Sequence, residues 1–539
     1  MGWIPGVASA ARNDTPVSQP RFRQPFPAPF PPIFCLAPLD VWLRFLTAPT
    51  PRIGVRYWPR VLVGLVLSTC ATLITLPERL LVGALLRVWR PRRPAPVVIL
   101  GYYRSGTTYL QFLLDRDPAL VSPKWNQALA PQGYLVSWTF LRFLLLPFLG
   151  GNRPQDNVSF GSDFPAEDDF ALCNWAMASS LPSRHVVPSL ASHYQRFDHL
   201  DDLTPAEHAR WAWHQRALAD KLLLTRPGRR VLLKSPCHTA RIRHLLALFG
   251  PETRFIYIAR HPHAVFRSNM ALFDALDPIY HLEDPVSGEE LERRILADYL
   301  ATEARYDADR ALIPPGRLAE VRLPDLQADP IGEVRRIYRE LDLALSDEAL
   351  ERMRLYLDGE KDYRGNKHAG WTEAEKARLE PLLAELTSRF EAGPSPRAKV
   401  APESPSILAP EQRPRRLAAG VALALATGLL GSVLWGAAMA VFDRPCHPLW
   451  CWPIGVIAGL LARWPAGRGS WVLGATAVVA ACGSFLTAAM VASVLTGIGP
   501  WTEWLANPVG LPPWLFTANV GFWWYTGGMS GWKLATRRW

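Results

Sequence analysis

Cysteine is sparse in this 539-residue chain: seven residues, at positions 35, 70, 173, 237, 446, 451 and 482. No paired CxxC framework is among them, so a reducing compartment is expected. Cys446, His447 and Cys451 lie close together. Structural zinc normally takes four ligands, so they read as a polar loop between helices and no metal is expected. The first ten residues lack a charged segment followed by a long apolar one, and no secretory signal is expected. Acidic residues are in deficit, 48 against 59 Lys and Arg, for a net charge of +11. Such a surplus suits nucleic acid, anionic lipid or a polyanionic small ligand. Here the arginines flank apolar runs, which favours a membrane and argues against nucleic acid.

Apolar residues are plentiful, at 49% with 22 Trp, a residue that collects at membrane–water interfaces. Residues 1–50 read as a Pro-rich arm. Within 51–94, Val61–Leu76 falls short of the ~20 residues a span requires. Pro77, Glu78 and Arg79 then break the run before Leu81–Trp89, and arginines stand on both sides. This predicts a shallow, membrane-associated helical hairpin. Residues 391–415 form a linker rich in Pro, Ser and charge. Residues 416–539 hold four apolar runs whose loop charges fit about four transmembrane helices with both ends cytoplasmic. The protein is therefore expected to be a multi-pass membrane protein with residues 95–390 on the cytoplasmic side.

That central segment alternates short apolar strands with helical stretches. Val97–Leu100, Arg230–Lys234, Arg254–Ala259 and Leu318–Leu323 read as strands, and Ala206–Leu224 and Ile331–Leu341 as helices. The alternation predicts an α/β domain with a parallel sheet flanked by helices.

The first strand runs into Gly101-Tyr102-Tyr103-Arg104-Ser105-Gly106-Thr107-Thr108, and helical periodicity begins near Thr107. A helix start after a Gly-bearing loop offers free N–H groups and a positive dipole end to an anion. Ser105, Thr107 and Thr108 add hydroxyls, Arg104 adds a guanidinium, and Gly106 permits close backbone approach. Thr107 stands where a Walker loop needs Lys, which argues against a P-loop kinase. Lys234 and His238 sit at the end of the second strand, Arg260 ends the third, and Ser268 follows eight residues later. Polar groups at strand C-termini face the ligand crevice of an open parallel sheet.

The order RSGTT, LKSPxHT and RxPxxVFxSN resembles the family of sulfotransferases that use 3′-phosphoadenosine 5′-phosphosulfate (PAPS), particularly its bacterial members. The resemblance covers roughly residues 55–375, including Asp156-Asn157-Val158, the Glu167-Asp168-Asp169 run, Leu323–Pro330 and Tyr363–His368. It implies a P-loop-like sulfotransferase fold, with PAPS as co-substrate and no metal. It implies that Arg104, Ser105, Gly106, Thr107 and Thr108 hold the 5′-phosphosulfate, with Arg260 and Ser268 on the 3′-phosphate. Lys367 joins the cofactor-binding candidates. Cytosolic relatives carry Lys where this chain has Arg104, and place His two residues after a Lys where His238 here follows Lys234 by four.

Sulfuryl transfer depends on positioning and on neutralising charge as an acceptor hydroxyl attacks sulfur. Arg104 and Lys234 are assigned to the sulfuryl group and leaving oxygen, and Glu167 and His238 are alternative bases. The acceptor is expected to be a small molecule or a lipid-linked group. A nucleotide-binding kinase and a non-catalytic membrane scaffold are the competing readings.

Overall fold

The computed structural model describes residues 33–47, 50–88, 93–145, 161–359 and 372–393. Lys367 and the rest of the Tyr363–His368 stretch, Asp156-Asn157-Val158, most of the arm and linker, and the four C-terminal apolar runs lie outside them. Two compact units divide the chain. One comprises Met1–Leu80, Ala95–Leu218 and Val231–Ala401, and the other Leu81–Pro94, Ala219–Arg230 and Pro402–Trp539. In the second, Arg93 pairs with Asp220 at 3.2 Å.

The first unit is built on a five-stranded sheet. Its strands are β1 (Val97–Leu100), β2 (Leu120–Val121), β3 (Arg230–Lys234), β4 (Arg254–Ala259) and β5 (Leu318–Arg322). They lie in the order β2-β3-β1-β4-β5. β1 pairs in parallel with β3 and β4, and β4 with β5. The expected strands and the parallel α/β sheet are thus present. All four residues of β1 are buried, as a strand covered on both faces requires. Val97, Ile99, Ile256, Ile258 and Val321 face one core with Leu110, Leu113 and Leu114 of helix α3 (Thr107–Leu114). A second core gathers Tyr102 and Tyr103 with Val265, Phe273, Tyr299 and Leu383. The strands end together, so the loops after β1, β3 and β4 share one edge.

Before the sheet come α1 (Leu39–Thr47) and α2 (Trp58–Val88). The hairpin expected across Val61–Trp89 is instead one continuous 31-residue helix that runs through Pro77. The residues that suggested a break hold the helix in place. Glu78 is buried and accepts the backbone N–H groups of Leu135 (2.9 Å), Val136 (3.0 Å) and Ser137 (2.9 Å). Arg79 grips both carboxylate oxygens of Asp40, at 2.8 and 2.9 Å. These bonds offset the backbone hydrogen bond that an interior proline gives up. Sequence alone offered those charges only water as a partner.

Candidate active site

The loop after β1 has the backbone of an anion cradle. Gly101 has φ +139° and Gly106 φ +103°, and a Cβ on Gly101 would sit 2.7 Å from the Ile258 carbonyl oxygen. Arg104 is also left-handed, with φ 69°. Such backbone is sparsely populated for a side-chain-bearing residue and is held by its surroundings. Gly106 caps α3 without a side-chain bond to the first turn, so the helix start is presented by main chain alone. The loop is fastened from below. Thr239 accepts the Gly101 N–H at 2.8 Å, Ser105 Oγ donates to the Tyr102 carbonyl at 2.7 Å, and Asn269 donates to the Tyr103 carbonyl at 2.9 Å. Tyr102 donates to Asp298 at 2.7 Å, and the Arg184 guanidinium lies 4.0 Å from the Tyr103 ring centre.

Two pairs of predicted residues meet above this floor. Arg104 Nε donates to Ser268 Oγ at 3.0 Å, and Arg260 donates to the Arg104 carbonyl at 3.0 Å. Arg104, Arg260 and Ser268, from separate parts of the chain, form one cationic cluster. A cavity of about 320 Å³ opens beside it, walled by Ser105, Arg260, Tyr257, Tyr299, Arg322 and Phe390.

The second pair is Lys234 with Glu167. Lys234 Nζ lies 2.7 Å from Glu167 Oε1 and 3.1 Å from Thr108 Oγ1, so it bridges the helix start after β1 and the start of the helix Asp168–Ala176. The Lys234 side chain is 2% exposed and that of Glu167 21%, so the carboxylate is the member open to solvent.

Beneath this pair lies a buried network centred on Asp168. It accepts the Lys234 backbone N–H at 3.0 Å, the Ser235 hydroxyl at 3.1 Å and the Gln215 amide at 2.8 Å, and meets His238 Nε2 at 2.7 Å. Burial by itself would raise the Asp168 carboxyl. The charge and hydrogen bond of His238, with the Gln215 bond, outweigh burial and hold it well below the usual carboxylate range. Asp169 meets Arg241 at 2.8 Å. His238 is fully buried, with Nε2 against Asp168. Thr107 is buried at the helix start. Lys367 lies outside the described residues.

Sequence reasoning missed Asp168, Thr239 and Asn269 as organisers of the site. All three stand within the motifs already singled out, and the signal was their adjacency to Glu167, His238 and Ser268. Their inward direction is decided by packing and leaves no trace in composition. No group of three or more His, Cys, Asp or Glu suited to a metal ion occurs among the described residues.

A left-handed loop at a helix start, a cationic cluster and a lysine–carboxylate pair along one edge of a parallel sheet suit an anionic ligand. Residues 96–347 match the model of the sulfotransferase family. The chain is 28% identical over 362 residues to the omega-hydroxy-beta-dihydromenaquinone-9 sulfotransferase Stf3 of Mycobacterium bovis, covering 67% of this chain and 91% of the relative. The Stf3 of Mycobacterium tuberculosis matches to the same extent. Among solved structures, sulfotransferase STF9 from Mycobacterium avium aligns at 21% identity and a TM-score of 0.47, over 66% of this chain and 97% of its own. STF1 from Mycobacterium tuberculosis aligns at 19% identity and a TM-score of 0.45, over 64% and 91%.

Proposed function

We propose that the domain transfers a sulfuryl group from PAPS to a hydroxyl on a lipid or lipid-linked acceptor, at a membrane. The observation that carries this reading is the Lys234–Glu167 pair beside Thr108. A donor with phosphate at both ends needs two separate cationic grips. The loop from Arg104 to Thr108 suits the 5′-phosphosulfate, and Arg260 with Ser268 suits the 3′-phosphate. The meeting of Arg104 with Ser268 supports one ligand spanning both. The match to Stf3, whose name carries a hydroxylated menaquinone, supports a lipid acceptor.

In this mechanism Glu167 takes the proton from the acceptor hydroxyl as its oxygen attacks sulfur. The bond from sulfur to the phosphate oxygen breaks, and 3′-phosphoadenosine 5′-phosphate leaves. Lys234 and Arg104 neutralise the charge growing on the sulfuryl oxygens and the leaving oxygen. Glu167 is preferred to His238 as base because it is open to solvent, whereas His238 is sealed against Asp168.

The test is to incubate purified full-length protein with PAPS and either membrane lipid extract or soluble metabolites. Sulfated lipid is expected together with 3′-phosphoadenosine 5′-phosphate. Sulfation of soluble metabolites alone would overturn the acceptor reading, and absence of PAPS turnover with both would overturn the reaction.

A further inference from the structure

Twelve large hydrophobic side chains are exposed among the described residues. Seven of them lie on α2, and six of these, Trp58, Leu62, Val66, Leu73, Leu76 and Leu80, form one strip, with Val66 63% and Leu73 68% exposed. At 3.6 residues per turn all six fall within roughly a quarter of the helix circumference, along about 33 Å of its length. Pro59 and Pro77 share that face, and so does Thr69. The Thr69 hydroxyl turns back to the Leu65 carbonyl at 2.8 Å, so the face asks nothing polar of its surroundings. It carries no charged side chain between Trp58 and Leu80. Soluble surfaces rarely leave so long an apolar strip uncovered.

The opposite face of α2 is bound to the domain. Arg60 is buried and donates to the His281 and Pro278 carbonyls at 2.8 and 2.6 Å. Ser68 donates to the Ala37 carbonyl at 2.6 Å, and Glu78 holds three backbone N–H groups. A helix so fastened along one side lies on a bilayer rather than across it. Exposed arginines stand around the strip, Arg44 on α1, Arg52 ahead of α2 and Arg87 in the last turn of α2, while the exposed acids Asp40 and Asp284 are paired with Arg79 and Arg56. Arginines at the ends of an apolar face match anionic headgroups.

We propose that the Trp58–Leu80 face of α2 docks flat into the headgroup–acyl boundary of an anionic bilayer. The docking face stands close to the acceptor side of the site. Leu67 and Ala71 on the inner side of α2 pack with Ala130 and Leu141. Ala130 directly follows α4 (Trp125–Leu129), whose Trp125 ring lies 5.0 Å from Phe170 in the helix capped by Glu167. One short helix thus separates the bilayer-facing element from the base, and a hydroxyl near the headgroups is brought to Glu167. The proposal extends the lipid-acceptor reading and rests on it only for its purpose.

The test uses the full chain reconstituted in vesicles of phosphatidylglycerol and phosphatidylethanolamine. The photo-crosslinker p-benzoylphenylalanine replaces Val66 or Leu73, and, as a comparison, Leu355, which is 63% exposed on another helix. Mass spectrometry after illumination should find several-fold more phospholipid adduct at Val66 and Leu73 than at Leu355. Equal lipid adduct at all three positions overturns the proposal. So does crosslinking of Val66 and Leu73 to another peptide of the chain, or the absence of adducts there in protein with the wild-type melting temperature. Lipid sulfation measured on the wild-type protein reports separately on the acceptor.

Discussion

Glu167 and Lys234 are 67 positions apart in the chain, yet their side chains meet at 2.7 Å. The contact joins the helix Asp168–Ala176 to the end of β3, and Thr108 ties it to the helix start after β1. A base and a cation so placed can act on two sides of one transferred group.

If Glu167 is the base, Glu167→Gln should lower turnover by about 10²–10⁴-fold, the usual contribution of general base catalysis. Affinity for 3′-phosphoadenosine 5′-phosphate, measured by calorimetry, should stay within a few-fold of wild type. Near-normal turnover would move the base elsewhere.

If the lysine acts on charge that develops during transfer, Lys234→Ala should depress kcat far more than it raises KM for the donor. Steady-state kinetics with varied PAPS separates the two. Weaker donor binding at unchanged turnover would recast Lys234 as a binding residue.

Arg260→Ala should cost about 1.5–3 kcal/mol of donor affinity, as for a charge-assisted hydrogen bond, and should erase discrimination against a donor lacking the 3′-phosphate. Competition binding of the two nucleotides is the measurement. A wild-type protein indifferent to the 3′-phosphate would contradict the assignment.

Asp168→Ala should destabilise the domain by about 3–5 kcal/mol, since it leaves His238, Gln215 and the Lys234 N–H buried without their common acceptor. Chemical denaturation gives the value. A loss below about 1 kcal/mol would mean that water enters and replaces the carboxylate.

Asp198 supplies a pH test. Burial and the nearby Asp298 push its carboxyl up to about 7, against the pull of Arg184. Unfolded, it titrates near about 3.9, so between those values the native state holds more protons. Its contribution to stability is present below pH 4 and is lost as pH rises through about 7. The melting temperature of Asp198→Asn relative to wild type should therefore be higher at pH 8 than at pH 4. A difference independent of pH would contradict the raised value.

The strands, their parallel sense and the glycine-bearing loop after β1 were legible in the sequence because they depend on local signals. Val97–Leu100 is an unbroken apolar run, Gly101 and Gly106 mark backbone that other residues strain to adopt, and Thr107 begins a periodic helix. Arg260 and Ser268 were singled out by their spacing, and both meet Arg104. The partners of charged side chains were not. Glu78 and Arg79 look like a break in an apolar run, and only the backbone of Leu135–Ser137 and the carboxylate of Asp40 make them part of a continuous helix. Glu167, Asp168 and Asp169 are three equivalent acids in sequence. The fold turns the first toward Lys234, the second into the core against His238 and the third onto Arg241, because consecutive residues at a helix start point in different directions and each meets a different wall. Local composition thus set the strands and the loop, while tertiary packing decided which of three neighbouring carboxylates stays open to solvent.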